Sequence, residues 1–239
     1  MTADPFGRAL ADHYHGRRGE PLVQRDGEQR LAHPIEKFYF EEYTSEAAWA
    51  DWFDSLLDGP LLDMGAGAGK HALYFQEQFE TVAIEESDHL VSLMDDRGVT
   101  DPRNVDMFDL TAAFGRDRFQ SALAFGTQAG LTGSIDGLRA FLHDLAVVTE
   151  PDGTAVIDSY DPERDEASEL LGYRPDPTPG LASRVMSFEY EGAVSDILLF
   201  RLFSPERFRE ATVGTAWEVT AVRYGEGDSA YHYCVALSK

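Results

Sequence analysis

Acidic and glycine residues stand together in the segment LLDMGAGAGKHALYF at the spacing that a nucleotide pocket needs. A short apolar run leads to Asp63, and glycines then follow at every second position from Gly65 to Gly69. Glycines allow a turn with positive φ and let a ligand approach the backbone closely. The start of a helix after such a turn favours an anionic group of the ligand. The segment therefore predicts a strand, a ligand-binding turn and a helix.

Two common nucleotide motifs do not fit this spacing. A P-loop requires a glycine five residues before the Gly-Lys pair and Ser or Thr after it, but Met64 and His71 occupy these positions. A dinucleotide loop would need its third glycine where Lys70 stands. The sequence therefore predicts neither ATP nor NAD as the ligand.

The pattern that the turn does show, an acid followed by alternating glycines after a strand, resembles the first motif of the class I S-adenosylmethionine-dependent methyltransferases. The resemblance covers about residues 38–160 and implies methyl transfer with S-adenosylmethionine as the cofactor. In the resembling family the acid accepts a hydrogen bond from the ammonium group of the cofactor, and the turn lines it. These roles fall on Asp63, Gly65, Ala66, Gly67 and Gly69. The alternative is a turn that only packs a strand against a helix.

Two further acids match positions of the same family. Glu85 ends the next predicted strand, directly after Val-Ala-Ile, where a carboxylate can accept from both ribose hydroxyls. Glu86 is the alternative for this role. Asp106 matches the position that accepts from the adenine amino group, with Met107 beside the ring, and Asp109 is its competitor.

The loop LAFGTQAGLTG follows the fourth predicted strand and, by the resemblance, borders the methionine end of the cofactor and the acceptor. Its expected contacts are Phe125, Gly126 and Thr127. The loop lacks the N/D-P-P-Y/F sequence of many enzymes that methylate amino groups of bases or of protein glutamine. This absence disfavours those acceptors.

Catalytic residues are harder to predict, because methyl transfer from a sulfonium is an in-line displacement driven largely by alignment and desolvation. A base is needed only for an acceptor that is protonated in its resting state. The weak candidates are Asp158 and Tyr160 after the fifth strand and His15 in the N-terminal segment, which also contains Tyr39. No metal site is predicted, since the H-x-H at residues 13–15 has no third ligand at a telling spacing.

Apolar strands and amphipathic helices alternate from residue 61 onward, which predicts a parallel sheet with helices on both faces. The resemblance implies a Rossmann-like α/β fold whose mostly parallel sheet has seven strands and an antiparallel C-terminal strand. Strands are predicted at 61–64, 81–85, 104–106, 119–125, 154–160, 185–190, 197–203, 217–224 and 231–237, and helices from about 45 and at 70–79, 87–96 and 134–148. Polar, turn-rich residues 1–43 form an N-terminal extension or lid before a methyltransferase domain of residues 44–239, with a surface excursion at about 161–184.

The composition limits the partners of the chain. Forty-three acids against twenty bases give a net charge of −23, and this charge is spread along the 239 residues. Such a surface repels nucleic acid and resembles proteins of salt-loving organisms, with an ordinary acidic protein as the alternative. The sequence shows no secretory signal, no apolar run long enough to span a membrane and a single cysteine. We therefore predict a soluble, cytoplasmic protein.

These observations together predict S-adenosylmethionine-dependent methyl transfer to a small-molecule acceptor. The sequence does not identify the acceptor, and the segments outside the motifs look like a bacterial and archaeal subfamily of unassigned acceptor. Two alternatives stay open: a sensor that binds S-adenosylmethionine without catalysis, and an aminopropyltransferase-like enzyme. The latter would need an acid cluster after the fourth strand, where GTQAGLTG has none.

Overall fold

The computed structural model describes residues 3–47 and 49–239, apart from the side chain of Asp228. Its strands are β1 (Val23–Asp26), β2 (Gln29–Ala32), β3 (Leu61–Met64), β4 (Thr81–Glu85), β5 (Pro102–Asn104), β6 (Phe119–Ala124), β7 (Thr149–Tyr160), β8 (Tyr173–Pro175), β9 (Leu181–Tyr190), β10 (Ala193–Val194), β11 (Leu198–Phe203), β12 (Glu218–Tyr224) and β13 (His232–Ser238). Its α-helices are α1 (Pro5–Tyr14), α2 (Ala50–Asp54), α3 (Lys70–Phe75), α4 (Asp88–Arg97), α5 (Leu110–Ala113), α6 (Ile135–Val148) and α7 (Pro205–Thr212).

The larger sheet of the described residues has seven strands in the order β12-β13-β7-β6-β3-β4-β5. Strands β3 to β7 are parallel, whereas β13 runs antiparallel to both β7 and β12. Alternate strand residues face opposite sides, so Leu62 packs with α6 while Leu61 packs with α2. The predicted α/β sheet, its helices on both faces and its antiparallel C-terminal strand are confirmed.

Several element bounds follow the sequence closely and others differ. Strands β3 and β4 have the predicted bounds, and α4 begins after Ser87, whose hydroxyl accepts from the Leu90 N–H. The helix predicted from about residue 45 is only Ala50–Asp54, and it is followed by a turn in which the Ser55 hydroxyl donates to the Trp52 carbonyl. Ala48, within that prediction, lies outside the described residues. Strand β5 lies two residues earlier than predicted, which places Asp106 in the loop beyond it.

A second, six-stranded sheet among the described residues was not predicted, and we call it the cap sheet. Strand β9 is its centre and pairs with β1, β8, β10 and β11, while β2 pairs with β1. The cap sheet joins a hairpin from the N-terminal segment to residues 173–203. The polar extension therefore contains α1, two strands and a π-helix at Glu36–Phe40, and the expected surface excursion contains β8 and the start of β9. The pairing of β1 with β9 joins distant parts of the chain, so local composition gave no sign of the complete cap sheet.

The cap sheet packs onto the edge of the large sheet where the parallel strands end. Met186 and Phe188 of β9 share a buried cluster with Leu10 of α1, Leu90 of α4 and Ala68 of the glycine turn. On the other side, the loop after β6 lies against β11, since a Cβ at position 130 would come within 2.9 Å of the Arg201 carbonyl oxygen. The cap sheet and the carboxyl ends of β3, β4, β6 and β7 therefore face each other.

Candidate functional site

The glycine turn lies directly after β3 and beneath two side chains from distant segments. Gly65 and Gly67 have φ of +64° and +61°, a conformation that residues with a Cβ rarely adopt. A Cβ at Gly67 would approach the Tyr39 ring to 3.3 Å, and one at Gly65 would approach the Gln128 side chain to 2.5 Å. Both positions therefore need glycine for conformation and for space.

Asp63 is the last but one residue of β3 and is 2% exposed. Among the described residues its Oδ2 has no hydrogen-bond partner. Burial, together with the nearby charge of Glu85, raises the pKa of the Asp63 carboxyl to about 7. A buried carboxyl with a free oxygen is suited to a cationic group of a ligand, which would favour its ionised form.

Glu85 ends β4 and joins the same turn. Its Oε1 accepts from the Gly67 N–H at 2.8 Å, and its Oε2 accepts from the Glu86 N–H at 3.1 Å. Burial raises the pKa of Glu85 to about 7 against the opposing effect of these two bonds. The structure thus brings Glu85 to the turn, whereas the Glu86 side chain is exposed.

The Asp106 segment is the third part of the strand-end region. Asp106 is half-buried, and its Oδ1 accepts from the Phe108 N–H at 2.9 Å. Met107 is buried in the core cluster that contains Met64 and Ile84. Asp109 is exposed at the N-terminus of α5 and makes no capping hydrogen bond with its side chain. Of the two acids in this segment, Asp106 is therefore the one that is partly buried, whereas Asp109 is exposed.

A buried acid–histidine pair lies beside the loop after β6. Asp158 is 1% exposed; its Oδ1 accepts from the Thr127 N–H at 2.7 Å, and its Oδ2 lies 2.7 Å from Nε2 of His232. The His232 ring contacts Phe125 and Tyr160, with centroid separations of 5.4 and 5.5 Å. Both oxygens of Asp158 are engaged within the protein, so Asp158 positions its neighbours.

His232 was not predicted as a site residue, because it alternates with Tyr231 and Tyr233 in a segment that has the pattern of a core strand. Its position follows from strand pairing: β13 is antiparallel and begins with His232 opposite Tyr160 at the end of β7. The first residue of an antiparallel strand therefore lies at the carboxyl edge of its parallel neighbours. Burial raises the pKa of Tyr160 to about 12.

Comparison with known proteins bears on the fold. No protein-family model matches the chain, and no curated protein matches it in sequence. Among solved structures, an S-adenosylmethionine-dependent methyltransferase from Bacteroides fragilis, in complex with S-adenosyl-L-homocysteine, matches with a TM-score of 0.76 at 23% identity. The match covers 98% of this chain and 94% of that one.

Two further matches are methyltransferases. The CcbJ methyltransferase from Streptomyces caelestis has a TM-score of 0.61 at 16% identity and covers 85% of this chain and 95% of its own. An amino pentose methyltransferase from Micromonospora echinaspora, with S-adenosylmethionine bound, has a TM-score of 0.52 at 18% identity and covers 74% and 82%. The chain has the class I methyltransferase fold. The Bacteroides match spans nearly the whole chain, so it includes the cap sheet.

In this methyltransferase fold the cap sheet contributes a second polar group of residues. The Tyr39 hydroxyl lies 3.2 Å from Nε2 of His33, and the His33 Nδ1 lies 3.0 Å from the Gln24 amide. Arg184 donates to Gln24 Oε1 at 2.8 Å and to the Leu171 carbonyl at 2.9 Å. Burial and the Arg184 charge lower the pKa of His33 to about 4, so its ring is neutral at pH 7.

His15 does not join these groups. It is exposed at the end of α1, where its Nε2 lies 3.0 Å from Asp96 Oδ2 on α4. The other end of α1 lies near the glycine turn, since Asp4 there bonds to Ser87, two residues beyond Glu85. His15 is thus one helix length from the turn.

Metal-binding clusters and helices that could span a membrane are both absent from the described residues. Within residues 3–47 and 49–239, no three His, Cys, Asp or Glu side chains are grouped so that they could hold a metal ion. No helix in the described part of the chain is long and apolar enough to cross a membrane. Cys234 is buried with a free thiol.

Proposed function

We propose that the protein is an S-adenosylmethionine-dependent methyltransferase that acts on a small-molecule acceptor. The observation that carries this proposal is the buried Asp63, whose free oxygen lies beside a glycine turn held by Glu85. A buried carboxyl without a partner is costly unless a ligand supplies one. The ammonium group of S-adenosylmethionine is such a partner.

The residues at the strand ends would hold the cofactor in defined roles. Asp63 accepts from the ammonium group and Glu85 from the ribose hydroxyls, since each carboxylate oxygen has a second lone pair beside the backbone bond it already accepts. Asp106 accepts from the adenine amino group. The remaining cofactor contacts are Gly65, Ala66, Gly67, Gly69, Met107, Phe125 and Gly126. The cofactor supplies a methyl group on a sulfonium.

The Asp158–His232 pair would serve an acceptor that is protonated in its resting state. Asp158 fixes Nε2 of His232 as the proton-bearing nitrogen. In the described residues the other ring nitrogen, Nδ1, has no hydrogen-bond partner, so it carries the lone pair that can accept a proton. Asp158 also fixes the Thr127 N–H, which ties the loop after β6 to the same pair.

The cap sheet and the N-terminal segment would close the site. Tyr39 lies over Gly67, and the Arg97 guanidinium donates to the carbonyls of both Tyr39 and Ala68. We therefore propose that residues 1–43 act as a lid on the methyltransferase domain of residues 44–239. Exclusion of water by such a lid favours displacement at a sulfonium.

The cellular setting is part of the proposal. The net charge of −23 with three lysines favours a protein that works in the cytoplasm of a salt-loving organism, where concentrated salt screens its surface. The same charge disfavours nucleic acid as the acceptor.

The test begins with calorimetry of S-adenosyl-L-homocysteine, NAD and ATP, in molar KCl. We expect binding of S-adenosyl-L-homocysteine only, and Asp63→Asn should weaken it because the charge opposite the ammonium group is lost. Small-molecule extract and S-adenosylmethionine should then yield S-adenosyl-L-homocysteine. Tight NAD binding in place of S-adenosyl-L-homocysteine would overturn the proposal, and binding without turnover would favour a sensor.

A further inference from the structure

Arg184 is a buried arginine to which the described part of this strongly acidic protein gives no acidic partner. Its side chain is 8% exposed, and the chain carries 43 acids against 20 bases. Among the residues that the structure describes, no carboxylate oxygen lies within 4 Å of it. Other arginines of the cap sheet do have such partners: Arg174 pairs with Asp26 at 2.8 Å and Arg201 with Asp176 at 2.6 Å.

A charge buried in this way is costly for the folded chain unless something pairs with it. The two neutral acceptors of Arg184, the Leu171 carbonyl and Gln24 Oε1, engage only Nε and one hydrogen of Nη2. The described residues offer no partner to the remaining three N–H groups, which include both on Nη1. One hydrogen from each terminal nitrogen can therefore form the parallel pair of bonds that a carboxylate accepts.

The position of Arg184 relates this free edge to the proposed active site. Arg184 lies on the inward face of β9, which it shares with Met186 and Phe188 of the cluster packed on the glycine turn. Burial lowers the pKa of Arg184, and the hydroxyls of Tyr160, Tyr231 and Tyr39 act in the opposite direction.

These tyrosines mark two parts of the site. Tyr160 contacts His232, whereas Tyr39 covers Gly67 of the cofactor turn. Hydrogen bonds lead from Arg184 through Gln24 and His33 toward Tyr39. In the strand pairing Arg184 lies opposite Phe200 of β11, which packs against Gly130 in the loop after β6. Arg184 is therefore close to the loop that would border the acceptor.

We propose that Arg184 binds a carboxylate group of the methyl acceptor, so that the acceptor is an anionic small molecule. This proposal rests on the proposed methyltransferase function. It explains why an acidic chain keeps one buried guanidinium unpaired: the substrate is the counter-ion. The acidic surface would repel such a substrate, so binding depends on this one internal charge.

The acceptor is not the one molecule that offers Arg184 a carboxylate, because S-adenosylmethionine carries a carboxylate of its own. Two compounds related to the cofactor distinguish the two carboxylates. S-adenosyl-L-homocysteine has the cofactor carboxylate, and 5′-methylthioadenosine lacks it. If Arg184 serves the acceptor, Arg184→Gln should change the affinity for both by about twofold or less. A loss of about tenfold or more for S-adenosyl-L-homocysteine alone would assign Arg184 to the cofactor and overturn the proposal.

The acceptor side is tested on protein saturated with S-adenosyl-L-homocysteine, using two acids and their neutral amides as probes. Benzoate is compared with benzamide, and propionate with propionamide, by calorimetry or ligand-observed NMR. Benzoate is included because the cluster beneath β9 contains aromatic rings, among them Phe188 and Tyr39. We expect at least one acid to bind about tenfold or more tightly than its amide, as a charge-assisted bidentate pair implies.

Variants then assign the preference to one side chain. Arg184→Gln should abolish it and Arg184→Lys should retain a weaker one, while Arg201→Gln, on neighbouring β11 and already paired with Asp176, should leave it unchanged. Melting curves verify that each variant is folded. The proposal is overturned if the unaltered protein prefers neither acid to its amide, or if Arg184→Gln keeps the preference. Failure of the unaltered protein to bind S-adenosyl-L-homocysteine would instead refute the methyltransferase function.

Discussion

The two walls of the site are built from different kinds of sequence. The wall from the large sheet combines Asp63, the glycine turn and Glu85, which lie within one short stretch of chain. The wall from the cap sheet combines Gln24 and Arg184, which bond to each other across 160 positions. The first wall offers carboxylates and the second offers a guanidinium. The difference indicates that the proposed cofactor site is encoded locally, whereas the proposed acceptor site depends on how distant segments pack.

Each wall also carries an ionisable side chain, acidic in one and basic in the other, whose hydrogen-bonding groups are not all used by the described residues. Asp63 has a buried oxygen without a hydrogen-bond partner, and Arg184 has N–H groups on Nη1 and Nη2 without one, among the described residues. In both cases a ligand group can complete the site. We therefore expect changes in the first wall to act on cofactor affinity and changes near the second to act on turnover.

The largest effect should follow Gly67→Val, which we expect to abolish binding of S-adenosyl-L-homocysteine. The residue has φ of +61° and lies 3.3 Å from the Tyr39 ring when a Cβ is added, so a branched side chain occupies ligand space. Calorimetry measures the loss. Gly98→Val is the matched control, because Gly98 also has positive φ but no described atom lies within 4 Å of its added Cβ. Normal binding by folded Gly67→Val would make the turn purely structural.

A large effect on turnover alone should follow His232→Gln. Loss of a general base typically lowers kcat by about 10²–10⁴-fold. Cofactor affinity should change much less, because His232 bonds to Asp158 and not to Asp63, Gly67 or Glu85. The rate of S-adenosyl-L-homocysteine formation with extract measures this effect. His89→Gln, exposed on α4, serves as the control. Unaltered turnover in His232→Gln would show that the acceptor needs no base from this pair.

The comparison of Glu85→Ala with Glu86→Ala sharpens the assignment within the first wall. Loss of charge-assisted bonds to ribose should cost about 1.5–3 kcal/mol, or roughly ten- to a hundredfold in affinity. Glu86→Ala should change little, because that side chain is exposed. Equal small losses of affinity in the two variants would mean that the ribose site lies elsewhere.

Cofactor affinity should depend on pH in a direction set by the first wall. The pKa of Asp63 and that of Glu85 are about 7 in the folded chain and roughly 4 when unfolded, so the folded state binds more protons between about pH 4 and 7. Stability of the ligand-free protein therefore contains a contribution that is lost as pH rises through this window.

Cofactor binding should have the opposite dependence on pH, because an ammonium group and ribose hydroxyls favour the ionised carboxyls. Below pH 7 the affinity should fall by about tenfold per pH unit for each carboxyl that must ionise. Calorimetry in buffers of different ionisation enthalpy measures the released protons, and Asp63→Asn should reduce their number. Affinity that is constant from pH 8 to 6 would show that neither carboxyl changes its ionisation on binding.

The smallest effect per charge should come from salt. At about 0.01 M salt the screening length is roughly 30 Å, so repulsions among the excess acids add up, and at about 1 M it is roughly 3 Å. The melting temperature should therefore rise with KCl concentration. This response concerns the whole surface and should be the same in Arg184→Gln, whose charge is buried. A flat or falling melting curve would contradict the proposed adaptation to salt.

The sequence by itself determined the elements whose residues are neighbours in the chain. The apolar run, the alternating glycines and Glu85 after Val-Ala-Ile gave β3, the turn and β4 because each depends on local conformation and on the period of buried residues. The same is true of α4, whose start at Ser87 and end at Gly98 follow from capping.

Only the tertiary structure decided how distant polar groups meet. The pairing of β13 with β7 brought His232 to Asp158, and the pairing of β9 with β1 brought Arg184 to Gln24. No local period or spacing marks such contacts, since they depend on which strands become neighbours in the folded chain. The cofactor turn could therefore be predicted from the sequence, whereas the wall that would recognise the acceptor could not.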